Sequence, residues 1–135
     1  MKKITLLVIA LFILAACAGS NSTITGEWKL ISYGNPSNPT TAISNIDTNI
    51  KFDSKGNMSG NVGCNGFGGT YEQKEDTLSF SAIMSTMMFC DETMLQEQGV
   101  LSVFSDGVTL QIQLSGDILT ITSADGASVV NLARK

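Results

Sequence analysis

Four glycines fall within the seven residues from Gly63 to Gly69, inside the stretch Val62-Gly63-Cys64-Asn65-Gly66-Phe67-Gly68-Gly69-Thr70-Tyr71. Each glycine in a regular helix or strand costs about 0.5–1 kcal/mol relative to alanine, so the stretch predicts neither element. It predicts a turn-and-bulge corner, where glycine permits backbone conformations and close approaches that side chains forbid. Asn65 suits the same geometry, because its amide can bond its own backbone. A phosphate-binding loop is a poor match, since no Gly-Lys-Ser/Thr ending follows and the stretch leads into a strand pattern rather than a helix. Two readings remain. The corner curves strands into a barrel, or Asn65 and Phe67 line a recognition surface.

What the corner is tied to depends on the N-terminus. Lys2 and Lys3 precede an apolar run from Ile4 to Leu14, then Leu14-Ala15-Ala16-Cys17 and the polar Gly19-Ser20-Asn21-Ser22-Thr23. As a helix the run would rise only ~16 Å, about half a hydrocarbon core. A short apolar segment behind two lysines and before small residues reads as an export signal. Leu-Ala-Ala-Cys resembles the bacterial lipobox, which implies cleavage before Cys17 and acylation of its sulfur and new amine. Residues 1–16 are then the signal peptide and 17–24 a lipidated cysteine with a flexible tether. More than one acyl chain gives stable membrane anchoring. The expected location is the cell envelope: the outer membrane in a Gram-negative cell, the outer face of the plasma membrane otherwise.

Processing sharpens the remaining counts. Without Lys2 and Lys3, six Lys+Arg stand against twelve Asp+Glu, a net charge of about −6. Nucleic-acid binding, which needs clustered cations, is not expected. Of three cysteines, Cys64 and Cys90 remain, in a compartment that favours disulfides. A bridge between them would stabilise the fold by roughly 3.5 kcal/mol through loop entropy. The competing reading is a thiolate pair holding a soft metal with help from nearby methionines, but it lacks further thiol or imidazole ligands.

Strand patterns fill the rest of the folded unit, placed at residues 25–135. Gly26 to Tyr33 alternates around Trp28 and Leu30. After a loop at 34–39, Asn49 to Asp53 and Met58 to Val62 flank a tight turn as a hairpin. Thr70 to Gln73 and Thr77 to Phe80 are further strands, and Ile83 to Met88 runs toward Cys90. Asp91 to Ser105 is the single expected helix, with Asp91, Glu92 and Thr93 as start signals and an apolar stripe of Met94, Leu95, Val100, Leu101 and Phe104. Val108 to Leu114, Ile118 to Thr122 and Val129 to Arg134 form an antiparallel meander. The fold class is therefore mainly β: a compact antiparallel barrel-like domain with one packed helix. Arg134 shares strand parity with Val130 and Leu132, so its guanidinium should stack on the Trp28 indole and cap one end.

Catalytic chemistry finds little purchase. The chain has no histidine, which removes Ser-His, Cys-His and imidazole-metal arrangements. Asp53, Asp76, Asp117 and Asp125 sit in turns, where acids serve turn geometry. No catalytic residue, metal site or cofactor is expected. Met84, Met87, Met88 and Met94 read as adaptable core packing, with a Cu(I) site or a soft binding groove as the alternatives.

Gly26-Glu27-Trp28-Lys29-Leu30, Phe52-Asp53 with Gly56, Gly63-Cys64-Asn65-Gly66-Phe67 with Gly69-Thr70-Tyr71, and Met84 to Cys90 together resemble the META/HslJ domain family from Thr25 to Arg134. The resemblance implies a compact β-rich fold in a bacterial envelope protein, in a family linked to heat-shock response and novobiocin resistance and without an established enzymatic activity. The expected function is a non-enzymatic, membrane-anchored, stress-related lipoprotein that binds an envelope protein or component. A lipocalin-like carrier of an unknown small molecule, with a pocket lined by Trp28, Phe52 and Met84, is one alternative. An inhibitor of an exported hydrolase is the other.

Overall fold

The alternation near the C-terminus folds as it reads. β7 (Thr109–Ser115), β8 (Ile118–Thr122) and β9 (Val129–Arg134) make an antiparallel meander. Leu110, Ile112, Leu119, Ile121, Val130 and Leu132 turn inward and are buried. The computed structural model describes residues 23–135; Cys17, the lipobox and the tether up to Ser22 lie outside the described residues.

The other strands are β1 (Gly26–Gly34), β2 (Thr40–Thr41), β3 (Asn49–Phe52), β4 (Asn57–Asn61), β5 (Gly66–Lys74) and β6 (Thr77–Ser85), with helix α1 (Met94–Leu101) between β6 and β7. From β3 to β9 each strand pairs antiparallel with the next, and β1 pairs with both β3 and β9. Eight strands thus close a barrel, and the short β2 lies outside it against Ser32 and Tyr33. Closure removes the free edges an open sheet would expose. The β3–β4 turn is set by Asp53, whose carboxylate accepts the backbone N–H groups of Lys55 and Asn57 and the Asn57 amide.

Side chains fill the barrel. Phe52 stacks on Phe80 (centroids 6.4 Å apart), Phe80 meets Phe104 at a tilt (4.8 Å), and Phe104 meets Phe67 edge-on at 6.1 Å. Trp28, Phe52, Met58 and Leu119 are buried among them. The carrier reading needed a pocket lined by Trp28, Phe52 and Met84. Instead the first two are packed into the core and Met84 is 74% exposed, so that lining does not exist.

The two barrel ends differ. At one, the Trp28 indole N–H donates to the Ile24 carbonyl at 2.8 Å, and the Arg134 guanidinium lies 4.2 Å from the Trp28 ring centroid. Arg134 also donates to the carbonyls of Thr25 (3.0 Å) and Thr23 (3.4 Å). Ile24, assigned to the tether by sequence, is fully buried here, so the folded unit includes it. At the opposite end, Val62–Asn65 and α1 close the barrel.

Two sequence expectations are corrected at that second end. The glycine-rich stretch is a corner only through Asn65; from Gly66 onward it is strand β5, because β4 and β6 pair with it on both edges. The helix spans Met94–Leu101 rather than 91–105. Residues 91–93 form a turn closed onto the Cys90 carbonyl, and the chain tightens after Val100. Leu95, assigned to the apolar stripe, is 76% exposed, while Gln96, Glu97 and Val100 face inward. The helix packs on backbone that needs polar partners, which is why polar residues are buried there. It also approaches β1 so closely that a side chain at Gly99 would collide with the Tyr33 ring.

Candidate functional site

Backbone groups at the corner that no strand reaches must find other partners. Two adjacent residues of α1 supply them. Gln96 donates to the Val62 carbonyl at 2.6 Å and accepts the Ile43 N–H at 2.8 Å. Glu97 Oε1 accepts the backbone N–H of Cys64, that of Asn65 at 3.1 Å, and the Thr93 hydroxyl at 2.9 Å. Its Oε2 accepts the Asn65 amide at 2.7 Å. A methyl group at Gly63 would collide with the Glu97 carboxylate and lie 2.7 Å from Thr93 Cβ. Glycine at that position is a requirement of close approach.

Burial alone would raise the Glu97 pKa; the hydrogen bonds from the Asn65 amide, the Cys64 and Asn65 N–H groups and Thr93 outweigh it and hold the carboxyl below its ordinary value. A carboxylate engaged by four donors is a structural clamp, not a group poised to move protons. No group of three His, Cys, Asp or Glu side chains that could hold a metal occurs among the described residues.

Asn65 carries the clamp to the next segment. Its Oδ1 accepts the Met88 N–H and the Thr86 hydroxyl, each at 2.8 Å, and its Nδ2 donates to the Met88 carbonyl at 3.0 Å. Thr86 N–H also donates to the Gly66 carbonyl. Cys90 is joined to Cys64 by a disulfide with 6.2 Å between Cα atoms, which removes the thiolate-metal reading. Thr86, Met88 and Cys90 are therefore pinned, and the residues between them point out: Met87 is 95% and Phe89 79% exposed.

A bulge begins this projection. Gly68 pairs with Met84 and Thr70 with Ser81, so Gly69 alone faces Ala82 and Ile83. Ala82 takes the left-handed conformation with φ 55°, which bends the strand. Leu78 and Phe80 point into the core before the bulge, whereas Met84 is exposed after it. The expectation of Met84, Met87 and Met88 as core packing is thus reversed. They form an exposed ridge, and between it and α1 runs a groove of about 610 Å³ with Asn65 and Glu97 on its floor and Met87, Met88, Met94 and Leu101 among its walls.

Of the two residues proposed for a recognition surface, Asn65 lies under the ridge and holds it. Phe67 does not contribute, being buried against Phe104. Sequence reasoning missed Gln96 and Glu97. The available signal was weak: Gln96 stands one helical turn before Val100, on the face that had to be buried.

A closed, filled β-barrel with a helix-clamped, disulfide-stapled corner defines a small, mainly β domain. The META domain family matches residues 21–135, and the chain belongs to that family. The META barrel is not a known enzyme family, and its fold suggests a small non-catalytic domain. Similar solved structures include an NMR structure of a protein from Burkholderia xenovorans, with TM-score 0.65 and 20% identity over 82% of this chain and 81% of that one. A second NMR structure gives 0.59 and 23% over 78% and 86%. The crystal structure of a DUF4847 family protein from Bacteroides vulgatus gives 0.56 and 14% over 82% and 93%. These likenesses concern the fold alone. No curated protein matches the sequence significantly.

Proposed function

We propose that this protein is a lipid-anchored, stress-related envelope lipoprotein that acts without catalysis, binding a protein partner through the methionine ridge and its groove. The observation that carries this reading is the combination of exposed apolar side chains with a backbone fixed at alternate residues. Exposed contiguous apolar surface marks interaction sites, and methionine adapts its shape to a partner. Holding the segment rigid removes part of the ordering cost of association. The anchor and the stress setting rest on the lipobox and the META/HslJ resemblance.

Site-directed photocrosslinking in intact cells tests the reading. A photoreactive residue at Phe89 should give a discrete protein adduct that Met87→Ser and Met88→Ser weaken. The same residue at Ile118, also exposed, should give none. Identical adduct patterns from both positions, or no adduct from Phe89, would overturn it.

A further inference from the structure

Charge is distributed unevenly over the barrel, and the distribution selects the kind of partner. From Glu75 to Ala133 the chain contains no Lys or Arg, and that stretch supplies the ridge and α1. Asp91 and Glu92, both exposed, follow Cys90 directly. Asp106, also exposed, flanks the bulge and accepts the Ile83 N–H at 2.9 Å. None of these three carboxylates has a cationic partner among the described residues. The described cations are elsewhere, and Lys51, Lys74, Arg134 and Lys135 are already paired with Glu27, Glu72, Asp117 and Asp47.

The start of the described chain is elsewhere too. Ile24 N–H donates to the Gln73 side chain, near the end of β5 opposite to Gly66. Across the nine residues of β5, at ~3.3 Å each, the ridge stands roughly 26 Å from Ile24.

Resting on the binding reading above, we infer that the partner presents a basic amphipathic segment: its apolar side chains fill the groove beside Met87, Met88 and Phe89, and its Lys or Arg residues meet Asp91, Glu92 and Asp106. The rim consists of Asp91 and Glu92, next in the chain to the groove-lining Cys90, and of Asp106, bonded to Ile83 two residues before the groove-lining Ser85. A methionine-lined groove so flanked suits such a segment, because methionine accommodates varied apolar shapes while the acids select charge.

The test uses processed protein in zwitterionic nanodiscs, with empty discs as the blank. Binding of three fluorescent peptides is followed by anisotropy: a leucine/lysine amphipathic helix, a leucine/glutamate helix with the same apolar face, and a serine/lysine peptide. The leucine/lysine helix should bind at least about tenfold more tightly than either other peptide, and added salt should reduce that preference. Met87→Ser with Phe89→Ser should lower its affinity at least about tenfold. Asp91→Asn, Glu92→Gln and Asp106→Asn together should abolish the preference for lysine over glutamate while leaving the apolar contribution. All these positions are exposed, and unchanged melting of the variants establishes that they fold.

If both amphipathic helices bind equally and depend on Met87 and Phe89, the groove reading stands and the basic partner is overturned. If the lysine preference survives neutralisation of the rim, the assignment to those acids is overturned. If neither helix binds, or binding ignores Met87 and Phe89, the groove reading itself fails. Attachment to added anionic vesicles in place of peptide, lost in the Met87 and Phe89 variant, would assign the ridge to a membrane surface and overturn the proposal.

Discussion

Glu97→Gln should loosen the corner without touching the barrel. In the native site Oε1 accepts three donors and Oε2 one. Glutamine keeps one oxygen but makes it neutral, weakening three charge-assisted hydrogen bonds by roughly 0.5–1 kcal/mol each. Its NH₂ then faces the Asn65 amide, leaving two donors opposed at a cost of about 1–3 kcal/mol. The expected loss is about 3–5 kcal/mol, or about 12–20 °C in melting temperature for a domain of this size. Thermal unfolding followed by Trp28 fluorescence and near-UV circular dichroism reads it. The pH dependence gives an independent check. A carboxyl whose folded pKa is depressed contributes its stability above the unfolded value, near the ordinary 4.5, and loses it as pH falls through the lower folded value. The parent should therefore exceed Glu97→Gln at pH 7, and the gap should shrink below about pH 4.5. Asp53 and Asp125, also held low by hydrogen bonds, are common to both proteins and cancel. A variant melting within about 4 °C of the parent at pH 7, or a gap that stays constant into acid, would refute the clamp.

Three further outcomes follow from the same geometry. Reducing the Cys64–Cys90 bridge should remove roughly 3.5 kcal/mol by loop-entropy reasoning, seen as a lower denaturant midpoint with and without reductant. Arg134→Met, which retains length but loses the stack on Trp28 and the bonds to Thr23 and Thr25, should cost about 1–2 kcal/mol and red-shift Trp28 emission. Met87→Ser with Phe89→Ser should leave the melting temperature almost unchanged, within about 0.5 kcal/mol, because neither side chain packs in the core; a large loss would make the ridge structural.

The barrel was legible because its strands alternate by residue type, from Trp28 and Leu30 through Leu110, Ile112, Ile121 and Val130. Two cysteines left after the lipobox cysteine pointed to the staple, and strand parity at Arg134 pointed to the Trp28 stack. The corner was less legible. β5 begins among glycines because pairing on both edges stabilises the strand, which no local propensity records. Methionine is equally at home in a core and on a binding surface, so nothing in Met84, Met87 and Met88 distinguishes the two. The bulge at Ala82 decides, and it arises from register. Gln96 and Glu97 were hidden because their partners, the backbone groups of Val62, Cys64 and Asn65, are more than 30 positions away. Local pattern reading sees the helix but not the unpaired groups it serves.

Methyl NMR of ¹³C-methionine-labelled protein, titrated with the leucine/lysine helix, tests the ridge as binding surface most directly. Met58 is buried in the barrel, whereas Met84, Met87 and Met88 are exposed on the ridge, so the molecule carries its own control. Shifts are expected at Met87 and Met88, extending to Met84 and the groove-lining Met94, with Met58 unmoved. Shifts at Met58 with a silent ridge, or no shift anywhere at saturating peptide, would contradict it.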